Sequence, residues 1–82
     1  MSGRNQELKF EIVNQIGVIS TSASGWSVEL NRVSWNGNEP KYDVRSWSPD
    51  HTKSGKGITL SEDEMITLCE LLKKEVEFLN EG

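Results

Sequence analysis

The sequence predicts one α+β domain over residues 1–82, a four-stranded antiparallel sheet at about 8–60 followed by one C-terminal helix at about 62–80, in the order ββββα. Three observations carry this prediction. Apolar residues recur at alternate positions in runs between residues 10 and 48, the spacing of strands with one buried face. Asn36-Gly37 stands between two of those runs, and both residues tolerate the positive φ of a tight hairpin turn. From Ser61 onward the period becomes that of a helix, behind a cap written in the sequence.

The first strand, Phe10 to Ser20, sets Phe10, Ile12, Ile16 and Val18 against Lys9, Glu11, Gln15 and Gly17. A small-residue turn, Ser20 to Gly25, ends it. The second, Trp26 to Trp35, places Trp26, Val28 and Leu30 on one face, with Val33 and Trp35 on the other. That change of parity predicts a bulge, or a strand that twists away from the core. The third, Lys41 to Ser48, alternates cleanly, with Tyr42 and Val44 on one face and Lys41, Asp43, Arg45 and Trp47 on the other. After the loop Ser48 to Lys56, the run Gly57 to Leu60 supplies the fourth strand. Ser61 to Glu64 then fits a capping box, and three acids in the first turn suit the positive end of the helix dipole. Met65, Leu68, Cys69, Leu72, Val76 and Leu79 form one stripe, expected to pack on the sheet. Leu71 and Phe78 lie off the stripe. They either widen the buried face or form a second seam against another subunit. Met1 to Glu7 and Asn80 to Gly82 are expected to fray.

A chain of 82 residues buries a modest core, so added stability from a partner, a metal or a disulfide is expected. Cys69 is the single cysteine, which excludes an internal disulfide and a cysteine zinc cluster and fits a reducing cytoplasm. A partner is the remaining option. No apolar run reaches membrane-spanning length and no signal peptide stands at the start, so a cytoplasmic location is expected, nucleoid-associated if the source is bacterial. The net charge of −4 argues against nucleic acid only superficially. Residues 1–60 carry seven basic against six acidic side chains, and residues 61–82 two against seven, so the acid belongs to the helix.

The stretch Ser54 to Thr59, "SGKGIT", lacks the upstream glycine of a phosphate-binding loop, and a strand follows it where that loop requires a helix. One histidine, His51, beside a turn-forming Asp50, offers little to nucleophilic or metal catalysis. No enzymatic activity, small-molecule substrate, metal or cofactor is expected. The third strand is more informative. Lys41, Arg45 and Trp47 project from one face, and an aromatic ring with neighbouring cations is what a single strand of nucleic acid requires, a π-surface for bases and charge for phosphates. Trp35, Lys53 and Lys56 extend that set. The plainer reading makes each Trp core or cross-strand packing, and Trp26, sharing a face with Val28 and Leu30, fits it best.

The segments "WNG", "YDVRSW" and "GKGITLS" running into the helix, which together span about half the chain, resemble the positive cofactor four family of transcriptional coactivators, in particular its bacterial YdbC-type branch. The resemblance implies curved sheets, a homodimer joined through helices and sheets, and grooves that bind single-stranded DNA. Position by position it implies Trp35 as the stacking aromatic, Gly37 allowing close backbone approach, Arg45 as the principal cation, Trp47 as the aromatic beside it, and Lys56 as the cation before the last strand. The serine- and lysine-rich tail of the eukaryotic coactivators has no counterpart here. The expected function is single-stranded DNA binding with little sequence preference, in transcription, replication or repair. The alternatives are a module that binds a peptide or polymerase subunit through the Trp-rich face, and a single-stranded RNA-binding protein.

Overall fold

The computed structural model describes residues 9–81. Its elements come in the expected order: β1 (Phe10–Thr21), β2 (Ser27–Trp35), β3 (Lys41–Trp47), β4 (Ser54–Leu60) and α1 (Glu62–Glu81). The strands form one antiparallel sheet in the order β1-β2-β3-β4. Met1 to Glu7 and Gly82 lie outside the described residues, whereas Asn80 and Glu81, expected to fray, continue the helix. The fourth strand starts earlier than its apolar run, because Ser54 already pairs with Trp47.

Asn36 and Gly37 turn β2 into β3 with φ of 55° and 78°. Nothing lies within 4 Å of where a Gly37 β-carbon would stand. The left-handed backbone, not crowding, therefore calls for glycine there. From that turn β2 and β3 pair without a register shift, from Val33↔Lys41 to Ser27↔Trp47. The change of parity in β2 is thus not a bulge; the strand has apolar residues on both faces because each face meets a different layer. The interruptions fall in β1. Its 12 residues pair with the 9 of β2 through three register shifts that leave Val13, Ile16 and Ile19 without partners. Each extra residue resets the alternation, so the even-numbered face expected for the first strand does not persist, and Ile16 and Val18 are exposed.

Ser27, Glu29, Asn31, Val33 and Trp35 of β2 share a face with Asp43, Arg45 and Trp47 of β3. Trp47 pairs with Ser27, so in a flat sheet it would sit roughly 26 Å along the strand from Trp35 at about 3.3 Å per residue. Their ring centroids are 6.3 Å apart. The sheet therefore curls tightly toward this face, and the centre of the fold lies within the curl: Val33 and Trp47 are the fully buried apolar side chains there.

The helix starts as its sequence requires. The Glu64 amide donates to Ser61 Oγ at 3.2 Å, and the Ser61 amide donates to the Glu64 carboxylate at 2.9 Å, a reciprocal capping box. Its apolar stripe behaves differently from expectation. No side chain of α1 is buried, and Leu72, Val76 and Leu79 are each more than half exposed. The stripe faces the outer side of the sheet across an apolar groove of about 650 Å³ bounded by Leu30, Val44, Leu60, Met65, Leu68 and Leu72. Because the sheet curls the other way, the groove stays open among the described residues.

Candidate nucleic-acid interface

The inner face is organised around three rings. Phe10 from β1 lies 5.7 Å from Trp35 and 5.0 Å from Trp47, both tilted, and the two indoles are nearly parallel at 10°. These separations are those of favourable aromatic packing. The alternation that puts Trp47 in phase with Lys41 and Arg45 holds, but its placement on an open face does not. Phe10, Trp35 and His51 enclose Trp47, and none of its surface is exposed. The curl of the sheet folds β1 over it, which period-two counting cannot foresee. Trp35, at the rim beside the hairpin, is half-buried. Trp26 is also half-buried, on the opposite face beside Ser46 and Gly55, apart from the aromatic cluster.

Arg45 is not a free surface cation. Its Nε donates to Asp43 Oδ1 at 2.6 Å, its terminal nitrogens reach the Gly55 carbonyl and Thr59 Oγ1 at 3.4 Å each, and its guanidinium carbon sits 4.6 Å over the Trp35 ring. Asp43 is fully buried and takes a second hydrogen bond from Thr59 at 2.9 Å. The carboxylate thus holds the guanidinium flat, and the guanidinium holds the indole. β4 passes close beneath: a β-carbon on Gly57 would run into the Arg45 β-carbon and the Val44 carbonyl, so only glycine fits there.

A second polar group closes the other end of the curl. Glu29, 5% exposed, accepts hydrogen bonds from Ser27 Oγ and from Asn31 Nδ2 at 3.0 Å, and contacts His51 Nε2 at 2.8 Å. Burial opposes ionisation of Glu29, but its bonds to Asn31, Ser27 and His51 outweigh that, and the carboxyl is held below its ordinary value. His51, with φ of 60°, ties the loop before β4 to the sheet and covers Trp47 from 5.8 Å. The loop itself is wound around Asp50, whose carboxylate accepts from the Thr52 hydroxyl, the Thr52 amide and Ser48 Oγ and is held down to about 2. Ser27 gives its hydroxyl to the carboxylate rather than to the imidazole, so the trio is not arranged as a nucleophile and its base.

A family model for transcriptional coactivator p15 (PC4) matches residues 22–71, which include β2, β3, β4 and the first half of α1. The chain belongs to this family. An uncharacterized protein of Treponema pallidum (strain Nichols) is 48% identical over 68 residues, covering 83% of this chain and 80% of that relative. PC4 proteins are single-stranded DNA-binding, coactivator-like proteins, and the matched segment contains every residue of the inner face named above except Phe10.

Within this PC4 domain the remaining expected site residues do not all converge on the inner face: Lys41 shares a cleft with Trp35, whereas Lys53 lines a cleft with Trp26. Lys41 at the start of β3, Lys53 in the loop and Lys56 in β4 are exposed, and none forms an ion pair among the described residues. Gly37 sits at the hairpin tip beyond Trp35. Leu71 and Phe78 are exposed at 56% and 68%, away from the inner face. Sequence reasoning missed Ser27, Glu29, Asn31 and Asp43, and, in weighing His51 only for catalysis, missed its tie to Glu29. A signal was present: Ser27, Glu29 and Asn31 alternate in phase with Val33 and Trp35, so a polar stripe runs beside the aromatic one. No helix of the described chain is long and apolar enough to cross a membrane.

Proposed function

We propose that this PC4 chain binds single-stranded DNA with little sequence preference, acting in transcription or in replication and repair by holding melted strands, and that it does so as a homodimer. One observation carries the binding surface: Trp35 is braced under the Arg45 guanidinium at 4.6 Å at the rim of the inner face and shares a cleft with Lys41, which forms no ion pair among the described residues. A braced ring offers a base a surface already ordered, and cations without protein partners exchange counterions for phosphates. The homodimer is supported by the apolar groove and by the exposed Leu71, Leu72, Val76, Phe78 and Leu79 of α1, more apolar surface than an isolated helix keeps in water.

The test is a fluorescence titration with oligo-dT, oligo-U and duplex DNA at two salt concentrations. Single strands should bind tightly at low salt, quench tryptophan emission and weaken steeply as salt rises. Affinity indifferent to salt would instead favour apolar docking of a peptide, and equal affinity for oligo-U would extend the reading to RNA.

A further inference from the structure

The hairpin that ends β2 does more than turn the chain. Beside it lies a cleft of about 320 Å³ lined by Trp35, Asn38, Glu39, Lys41 and Thr59. That is the low end of the size range of small-ligand pockets and suits one nucleoside rather than a length of strand.

The walls are chemically unequal. Trp35 supplies an indole surface. Thr59 has its hydroxyl committed to Asp43 and Arg45, so it lends shape more than polarity. Lys41 and Glu39 are exposed and share the cleft, yet neither is ion-paired among the described residues. The rim carrying Asn38 and Glu39 is pinned: Asn38 donates its amide to the Trp35 carbonyl at 2.9 Å, Ser34 Oγ donates to the Asn38 carbonyl at 2.6 Å, and Asn36 exchanges two bonds with the Lys9 backbone. The Asn38 side chain keeps its own donor and acceptor for a ligand. A carboxylate can only accept, so Glu39 matches an exocyclic amino group and opposes a carbonyl oxygen at the same place.

We propose that this cleft is a base-reading subsite of the single-strand groove, which seats one amino-bearing base against Trp35, with Glu39 accepting from the exocyclic amino group, Asn38 completing the base edge and Lys41 taking the adjoining phosphate. The proposal rests on the reading of this face as a single-strand groove. It adds a modest composition bias: cytosine, adenine and guanine offer an amino group, whereas thymine and uracil present an oxygen.

Competition binding of oligo-dC and oligo-dT of equal length at neutral pH tests it. The wild-type chain should favour dC by about five- to tenfold, the lower part of the range for a side chain reading a base edge. In Glu39→Gln, whose amide can turn to donate to a carbonyl, the ratio should fall to within about twofold with dT affinity unchanged or raised. Glu39 is exposed on the hairpin rim, so far-UV circular dichroism should show an unaltered fold. Equal wild-type affinity for dC and dT overturns the subsite and leaves the single-strand reading standing. A dC preference that survives Glu39→Gln also overturns it. Failure of either strand to bind overturns the subsite together with the groove it belongs to.

Discussion

Replacing Trp47 by alanine separates a floor from a platform. The ring has none of its surface exposed. Burying an indole removes roughly 200 Å² from water, worth about 5 kcal/mol at ~25 cal/mol per Å². Against this, the Trp47 Nε1–H is buried without a hydrogen-bond partner among the described residues, and an unsatisfied donor costs about 1–3 kcal/mol. The net loss for Trp47→Ala is therefore about 3 kcal/mol, a large share of the stability available to a small domain. Trp47→Phe removes the orphan donor and keeps most of the ring, so it should cost less than about 1 kcal/mol. Urea unfolding followed by circular dichroism, at fixed protein concentration, measures both. Loss of single-strand affinity with less than about 1 kcal/mol of destabilisation in Trp47→Ala would refute this reasoning and return Trp47 to the binding surface.

The other side chains divide in the same way. Lys56→Ala should weaken all single strands by a similar factor and lower the salt slope by about one phosphate contact, with stability unchanged within about 0.5 kcal/mol, as salt-dependent titration will show. Arg45→Ala should weaken binding too, but it also strands the buried Asp43 carboxylate, a loss of up to about 3–5 kcal/mol in unfolding experiments, so it is not the benign surface change its alternation implies. Phe78→Asp should shift sedimentation equilibrium toward the monomer mass, because a charge in an apolar seam is costly to desolvate; no shift would place Phe78 outside any interface. Glu29 and Asp50 both hold their carboxyls below ordinary values of 4.5 and 3.8. Depressed acids stabilise the fold above their unfolded values and lose that contribution as pH falls toward the folded ones. The urea midpoint should therefore be level near neutral pH and decline below about 4.5, with Asp50→Asn flattening the lowest part near 2.

The hairpin, the capped helix and the strand order were legible because each rests on neighbours in sequence: Asn36-Gly37 fixes its own dihedrals, and Ser61 with Glu64 closes its own bonds. The face shared by Lys41, Arg45 and Trp47 was legible for the same reason, since alternation is local. Which face closes was not. Whether Trp47 meets water depends on Phe10, which reaches it only after the sheet has curled, and on His51, tied to Glu29 across 22 positions of chain. The stripe from Met65 to Leu79 is apolar as its period requires, yet none of it is buried, because periodicity reports that a face is apolar and says nothing about what covers it.

The three unpaired residues of β1 have a consequence for solubility. β1 is an outer strand of the sheet, and an outer strand offers its free amides and carbonyls as a template to any extended chain nearby. A straight strand laid along β1 would lose step at Val13, again at Ile16 and again at Ile19, matching at most three consecutive residues before an interruption. Isoleucine and valine, which in an even strand would invite aggregation, here sit where they prevent a foreign strand from zipping on. The insertions that break the step of β1 against β2 thus also guard the sheet margin.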